Sequence, residues 1–573
     1  MNNNNLNLHY QSVQTNPNSF EAHHRLGQAL QNQGQFQEAT NAYLKAIRIN
    51  PNFAKSHHNL GQCLARQGKF KEAITAYQKA INLAPKVSEN YHSLGDARFE
   101  HKQWSQAVNA YQKAIDINPN FAWSHYNLGR ALANQDRTEE AIQAYEKAIE
   151  FNPQFTECYE TLGNSFLQNK LWNKAAEYYK KSADIWFDRQ NWTKATEFYN
   201  KVIELDENMA EAHYQIGRIL QQQGHINDAV SSYLKAIQAQ PNYSQPYLIL
   251  RNTPLQLTKL DEAISTYYKA IEKNPDFPPL HINLADALTK SGNIKEAVER
   301  YKIAIFKQTK IKYPELVQEI SNSGDVKKPD FIIIGTEKSG TSSLYVYLVQ
   351  HPQIIAPIEK EIHFFSHKFD YGNEWYLAHF PPILNHPNFL TGEASTSYFH
   401  TCHLDTHKRL FSLLPNTKLI LLLRNPVERT ISHYHQRVRL GFEHRSLEKV
   451  ISSEMEILKG AENPISLGEK YWKTQCGYLW VGLYFHFLKD WMSIFPKEQI
   501  LILKSGDFNE NPKATMAKVY NLLGLPDHQL SHYEKYNAGS YPPISEKVKR
   551  ELFDFFAPHN SSLEEYLGVK FNW

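Results

Sequence analysis

In the first half of the chain the apolar and small positions repeat every 34 residues. Leu26-Gly27, Leu60-Gly61, Leu94-Gly95, Leu128-Gly129 and Leu162-Gly163 form one series, and Pro51, Pro85, Pro119 and Pro153 another. Ala39, Ala73, Ala107, Ala141 and Ala175 keep the same step, each with a tyrosine four residues on, from Tyr43 to Tyr179. The alanine–tyrosine pair resumes at Ala195, Ala229, Ala263 and Ala297, with Tyr199, Tyr233, Tyr267 and Tyr301. Small residues let two helices approach, Leu and Tyr fill the gap between them, and Pro closes the unit because it cannot continue the preceding helix. The pattern predicts an α-helical solenoid over about residues 20–310, preceded by a tail at 1–19. Between Ala175 and Ala195 the step is 20, so 14 residues are missing. That predicts a single helix over about 173–188, shared by two repeats, with no further helix before Trp192. The repeat near 244–277 is degenerate, with Arg251 where Gly is expected and Pro254 inside its first helix.

The texture changes after SNSGDVKKPD, a polar stretch inside an expected linker at 311–330. FIII from Phe331, LILLL from Leu419 and QILIL from Gln499 are short all-apolar runs. Helical stretches near Ser342 and from about Pro426 follow the first two. Such strands alternating with helices predict an α/β domain at 331–573, with a central parallel sheet covered on both faces.

Composition narrows the function. The 573 residues are 42% hydrophobic and 21% charged, enough for folded cores. A net charge of +3 on 62 basic and 59 acidic residues gives no support to nucleic-acid binding. Cys63, Cys158, Cys402 and Cys476 are too scattered for a disulfide framework or a zinc site. The start lacks a secretory pattern, and no apolar run approaches the ~20 residues of a membrane span. A reduced, cytoplasmic protein is expected.

The segment FIIIGTEKSGTSSL carries candidate chemistry. A strand feeds a loop of small residues that opens a helix, and such a loop with the helix N-terminus makes an anion site. Lys338 adds a point charge, and Thr341 and Ser342 add hydroxyls. A nucleoside-triphosphate loop needs its lysine directly after the second glycine. Here Lys338 lies between Gly335 and Gly340, and the LILLL strand ends in Arg424 rather than a magnesium-holding Asp. Both facts count against metal-assisted phosphoryl transfer. Arg424 and Ser432, eight residues apart, suit a second phosphate.

Two resemblances follow. The 34-residue pattern resembles the tetratricopeptide repeat, whose concave face usually binds a peptide or protein. Asn59, Asn127 and Asn283 share one repeat position. They read either as solvated positions or as a ladder gripping an extended backbone. The second half resembles a sulfotransferase, with its P-loop-like fold, that uses 3′-phosphoadenosine 5′-phosphosulfate (PAPS). In that family a KxGTxxL loop binds the 5′-phosphosulfate and an RxP…S segment the 3′-phosphate. The matching residues are Lys338, Ser339, Gly340, Thr341, Ser342 and Leu344, then Arg424, Pro426 and Ser432. Glu359-Lys360-Glu361-Ile362-His363-Phe364-Phe365 is similar to the KExxFF segment of the heparan sulfate sulfotransferases, whose glutamate is the base. The resemblance makes Glu361 the base and His363 the runner-up, since sulfotransferases of small phenols use histidine. If the segment is extended, both side chains point to one side. The resemblance further implies that Lys338 stabilises charge on the bridging oxygen. By position, Gly539, Ser540 and Tyr541 belong to a loop covering the donor. No metal is implied. The acceptor is expected to be a glycan hydroxyl or amine, or a peptide or protein recruited by the repeats. A scaffold with a silent transferase domain is the competing reading, and the co-occurrence of Lys338, Glu361, Arg424 and Ser432 favours the enzyme.

Overall fold

A computed structural model describes residues 3–253, 257–316, 327–383, 388–459, 461, 463–474, 477–534 and 544–573. The chain packs as two compact units, Met1–Gln240 and Pro241–Trp573.

The first unit is a helical-repeat array. The expected tail carries a helix, Asn3–Thr15. Helix pairs follow, beginning Phe20–Asn32 with Phe36–Ile49 and Ala54–Arg66 with Phe70–Leu83. The glycine–tyrosine code has a direct steric cause. A Cβ placed at Gly27, Gly61, Gly95, Gly129, Gly163 or Gly217 would fall 2.5–2.7 Å from the ring of the tyrosine sixteen residues on. At these six places the bare backbone lets the ring lie against the partner helix, while Ala183 and Ala285 hold the same slot before Tyr199 and Tyr301. The rings are held at the rim as well: Tyr111 donates to Asp96 at 2.7 Å and Tyr179 to Asn164 at 2.6 Å. At the 20-residue step one helix, Trp172–Asp188, lies between Thr156–Gln168 and Trp192–Leu205. It packs against both neighbours, Ala175, Tyr179 and Ala183 sharing a core with Leu162 and Tyr199. The shared helix expected from the missing 14 residues is therefore present.

The repeat asparagines are spent within the helices. Asn59 donates to the Tyr43 hydroxyl at 3.3 Å and Asn127 to Asp96 at 3.0 Å. In the second unit Asn283 donates to the Pro279 carbonyl at 3.0 Å. Asn127 and Asn283 are buried, which fits neither solvated positions nor a free ladder.

The second unit opens with the last repeat helices, Gln245–Asn252, Leu257–Lys273, Pro278–Lys290 and Ile294–Lys312. The repeat code runs to about 310, whereas the packing boundary falls at Gln240. Pro254 lies outside the described residues, as does half of the expected linker, residues 317–326. What is described at its edge is packed: Leu316 is buried with Ile355 and Ile383.

Beyond lies a four-stranded parallel sheet of β1 (Phe331–Gly335), β2 (Gly392–Glu393), β3 (Lys418–Leu423) and β4 (Ile500–Lys504), in the order β2-β1-β3-β4. Ile332 pairs with Glu393 and Leu419, and Leu423 with Lys504. β1 is buried along its whole length, as its all-apolar run requires. Phe331, Ile333, Ile420 and Leu422 join Leu344, Leu348 and Met516 in one core. Because every strand runs the same way, the loops leaving β1, β2 and β3 emerge at one edge, where parallel sheets place their ligands.

Candidate active site

The loop after β1 is fixed from within. Thr336 donates its amide and its hydroxyl to the Leu422 carbonyl of β3, at 3.0 and 3.1 Å. Ser339, only 1% exposed, turns its hydroxyl onto Thr336 at 2.5 Å, so it shapes the loop from inside. Lys338 (φ 68°) and Gly340 (φ 99°) both adopt left-handed backbone, and the glycine carries that conformation without penalty. Gly340 is the cap of helix Thr341–Leu348 and has no side chain of its own to bond the first-turn amides. Those amides are the donors an anion uses. Thr341 is buried and Ser342 half-buried at that end.

Burial lowers the pKa of the Lys338 ammonium, and although Glu337 opposes, Arg439, Arg424 and Arg429 add to the lowering. An anion seated among these cations would relieve their mutual repulsion. Arg424, at the end of β3, donates to the Lys338 carbonyl at 3.0 Å, so the two phosphate motifs share a wall. Its Nε faces Glu428 at 3.2 Å, and its own carbonyl accepts from Tyr484 at 2.9 Å. Ser432 is half-buried on the following helix, Pro426–Arg439.

The segment before Phe364 is not extended to its end. His363 has left-handed backbone (φ 56°), and a π-helical turn, Phe364–Lys368, follows at once. The two candidate bases meet nonetheless: His363 Nε2 lies 3.5 Å from Glu361 Oε2. The left-handed backbone at His363 departs from the extended segment that strand alternation assumes. Lys360 donates to Glu361 Oε1 at 2.7 Å and to the Ser342 hydroxyl at 2.9 Å. Burial alone would raise the Glu361 carboxyl, but the hydrogen bonds and charges of His363 and Lys360 outweigh it and hold the pKa at about 2. On its far side His363 Nδ1 is 2.9 Å from the Ser397 hydroxyl, and its amide donates to Ser395 Oγ at 3.0 Å.

Residues 328–539 match the sulfotransferase domain family. Segments from 24 to 313 match tetratricopeptide-repeat families. The chain carries tetratricopeptide repeats and a C-terminal sulfotransferase domain. It is 28% identical over 314 residues to the membrane-associated sulfotransferase kil1 of Dictyostelium discoideum, a match to 43% of this chain and 66% of that protein. It is 27% identical over 277 residues to the heparan sulfate glucosamine 3-O-sulfotransferase 3B1 of Homo sapiens, a match to 44% of this chain and 67% of that protein. The chain thus spans about two thirds of these curated relatives. A crystal structure of a sulfotransferase from Alicyclobacillus acidocaldarius aligns with 43% of this chain and 98% of its own, at 27% identity and a TM-score of 0.35. No helix among the described residues is long and apolar enough to cross a membrane.

Within the sulfotransferase domain, reasoning from sequence missed several residues. Lys360 stands in a charged segment that gives no sign of its role, yet it joins the candidate base to the anion loop. Arg429 is fully buried and donates to the Tyr478 carbonyl, adding a fixed charge beneath the loop. The run GEASTSY after β2 supplies Ser395 and Ser397 to His363, and its density of small hydroxyls after a strand was the available signal. Glu393, with His367 a fallback should neither Glu361 nor His363 be the base, is fully buried and accepts from Tyr376 at 2.8 Å, Tyr398 at 3.1 Å and Ser395 at 2.5 Å. It braces the loop, which also offers it the Ile362 amide at 3.4 Å. Gly539, Ser540 and Tyr541 lie outside the described residues.

Proposed function

We propose that the sulfotransferase domain moves a sulfuryl group from PAPS to a hydroxyl or amine acceptor. The observation that carries this is the Lys360 bridge, which joins the Glu361 carboxylate to Ser342 of the anion loop and makes donor loop and base one unit. Lys338 with the amides opening helix Thr341–Leu348 takes the 5′-phosphosulfate, and Arg424 with Ser432 takes the 3′-phosphate. In the reaction the bond between sulfur and the bridging phosphate oxygen breaks and a bond from sulfur to the acceptor oxygen or nitrogen forms. The acceptor proton passes to Glu361, with His363 orienting the carboxylate. Charge left on the bridging oxygen meets Lys338, and a donor already in place for developing charge is worth ~3–4 kcal/mol. A ligand drawing Lys360 toward the loop frees the Glu361 carboxylate to accept a proton.

The acceptor we infer is a glycan, or a peptide or protein presented by the repeats, encountered in the cytoplasm. The names of the relatives support the sugar, and the repeats support the peptide. The test is transfer of labelled sulfate from PAPS into a cell extract by the full chain, with chemical identification of the product. Absence of label above a Lys338→Ala control refutes the proposal.

A further inference from the structure

Position 251 occupies the glycine slot of the repeat code, and its tyrosine partner by spacing is Tyr267. Where that slot holds Gly, an added Cβ would strike the tyrosine ring, and in the other repeats it holds nothing larger than Ala183 and Ala285. Here the helix is cut to eight residues, Gln245–Asn252, and Tyr267 faces the ring of Tyr247 at 6.1 Å. An arginine in this slot gives up the repeat's own packing, so its contacts elsewhere explain what it does. Arg251 Nε donates to Asp286 at 2.7 Å, and its Nη2 lies 3.4 Å from Glu359. Asp286, on helix Pro278–Lys290, is held from its other side by the Tyr301 hydroxyl at 2.5 Å. The same helix takes a hydrogen bond from Trp375 Nε1 to Thr289 at 2.9 Å, and the Tyr301 ring lies tilted against that of His379, with centroids 4.2 Å apart. The terminal repeat is therefore docked on the sulfotransferase domain. Glu359 directly precedes Lys360, the residue that grips both Glu361 and Ser342.

We propose that Arg251 is a positioning residue: through Glu359 the terminal repeat sets the place of the Lys360–Glu361 loop. The ion pair borders a cavity of about 270 Å³, lined also by Asn252, Lys290, Lys368 and Tyr371. It is held from one side by the docked repeat helices and from the other by the base loop. The consequence is that the sulfotransferase domain depends on a side chain from the repeat region for a correctly placed base. This rests on the reading of Glu361 as the proton acceptor in sulfuryl transfer.

The test uses the full chain and two variants. Arg251→Met breaks both contacts of the arginine, whereas Glu359→Gln leaves the Arg251–Asp286 pair in place. Misplacing a base by a fraction of an ångström to an ångström costs roughly 10- to 100-fold in rate. Each variant is expected to lose about that much in kcat, with calorimetric affinity for 3′-phosphoadenosine 5′-phosphate unchanged. The double variant is expected to be no worse than the poorer single, because one link is removed twice. Arg251→Lys, which keeps the charge, recovers part of the rate. Amide hydrogen exchange over residues 358–365 is expected to rise in both variants. Exchange in helix Pro278–Lys290 rises only in Arg251→Met. Unchanged exchange at 358–365 in Glu359→Gln overturns the brace, whether or not the protein transfers sulfate. A faster-exchanging loop with unaltered kcat overturns its role in positioning. A wild type that transfers no sulfate refutes the proposed function, while the exchange result still decides the brace.

Discussion

Replacing Glu361 by Gln separates its two tasks. The amide oxygen of Gln can still accept from Lys360, which lies 2.7 Å from the carboxylate, so the link to Ser342 and the loop should persist. What is lost is a site for the acceptor proton. Loss of a general base costs about 10²–10⁴-fold, or roughly 3–5 kcal/mol of barrier at 1.36 kcal/mol per decade. The expected result is a fall in kcat of that size, with calorimetric affinity for 3′-phosphoadenosine 5′-phosphate nearly unchanged. His363→Ala removes a contact 3.5 Å from the carboxylate and the Ser397 partner at 2.9 Å, but not the carboxylate. It should be milder and act more on acceptor KM. The assay is steady-state transfer from PAPS with donor and acceptor varied separately. An active Glu361→Gln with a dead His363→Ala would reverse the roles. Two active variants would remove both residues from the chemistry, and the burial of Glu393 among Tyr376, Tyr398 and Ser395 leaves it a poor substitute.

Arg424→Ala should weaken 3′-phosphoadenosine 5′-phosphate by about 10- to 150-fold, the equivalent of ~1.5–3 kcal/mol for a charge-assisted contact. Affinity for 5′-AMP should change far less, and equal losses for the two nucleotides would refute the 3′-phosphate assignment. Lys360→Met removes one of the groups holding the Glu361 carboxyl down at about 2, so that pKa should rise. A base must be ionised to act, so the acid limb of kcat/KM should move to higher pH in the variant, and an unmoved limb speaks against Glu361. Gly95→Ala would gain up to about 1 kcal/mol of helix propensity. Its Cβ, however, falls 2.5 Å from a Tyr111 ring pinned by the 2.7 Å bond to Asp96, and overpacking costs ~1–3 kcal/mol. Net loss of urea stability is expected, whereas Gly506→Ala, with open space around it, should be neutral or better.

The parts of this protein that show in its sequence are those set by short-range rules. The 34-residue step is visible because a buried tyrosine ring against the partner helix asks for Gly or Ala sixteen residues earlier, a condition that eight of the nine pairs meet locally. β1 and β3 show as unbroken apolar runs because they are buried in a parallel sheet. The loop at Lys338 and the strand end at Arg424 show because positive backbone φ and fixed charges require particular residue types. Contacts between distant segments left no such trace. Nothing near Lys360 announces Ser342, and nothing near Arg429 announces the Tyr478 carbonyl. The same-side argument for Glu361 and His363 assumed an extended segment, and the two side chains meet although His363 has left-handed backbone.

Arg251 shows how such a trace can be recovered. By the repeat code it is a defect, since the slot otherwise holds only Gly or Ala. A defect that cost packing and returned nothing would leave a loosened helix pair with a solvated guanidinium. Instead the side chain is 21% exposed and lies between two carboxylates, Asp286 and Glu359, with the first already held by Tyr301. Burial works against the arginine's charge, yet the two acids leave its pKa raised, so the site is built for a cation. A charged residue in a small-residue slot is thus a signal of its own: it says that a partner outside the repeat has replaced the packing inside it. Here the partner is the segment next to the candidate base. A repeat that departs from its pattern beside another domain is therefore where coupling between the two should be sought first.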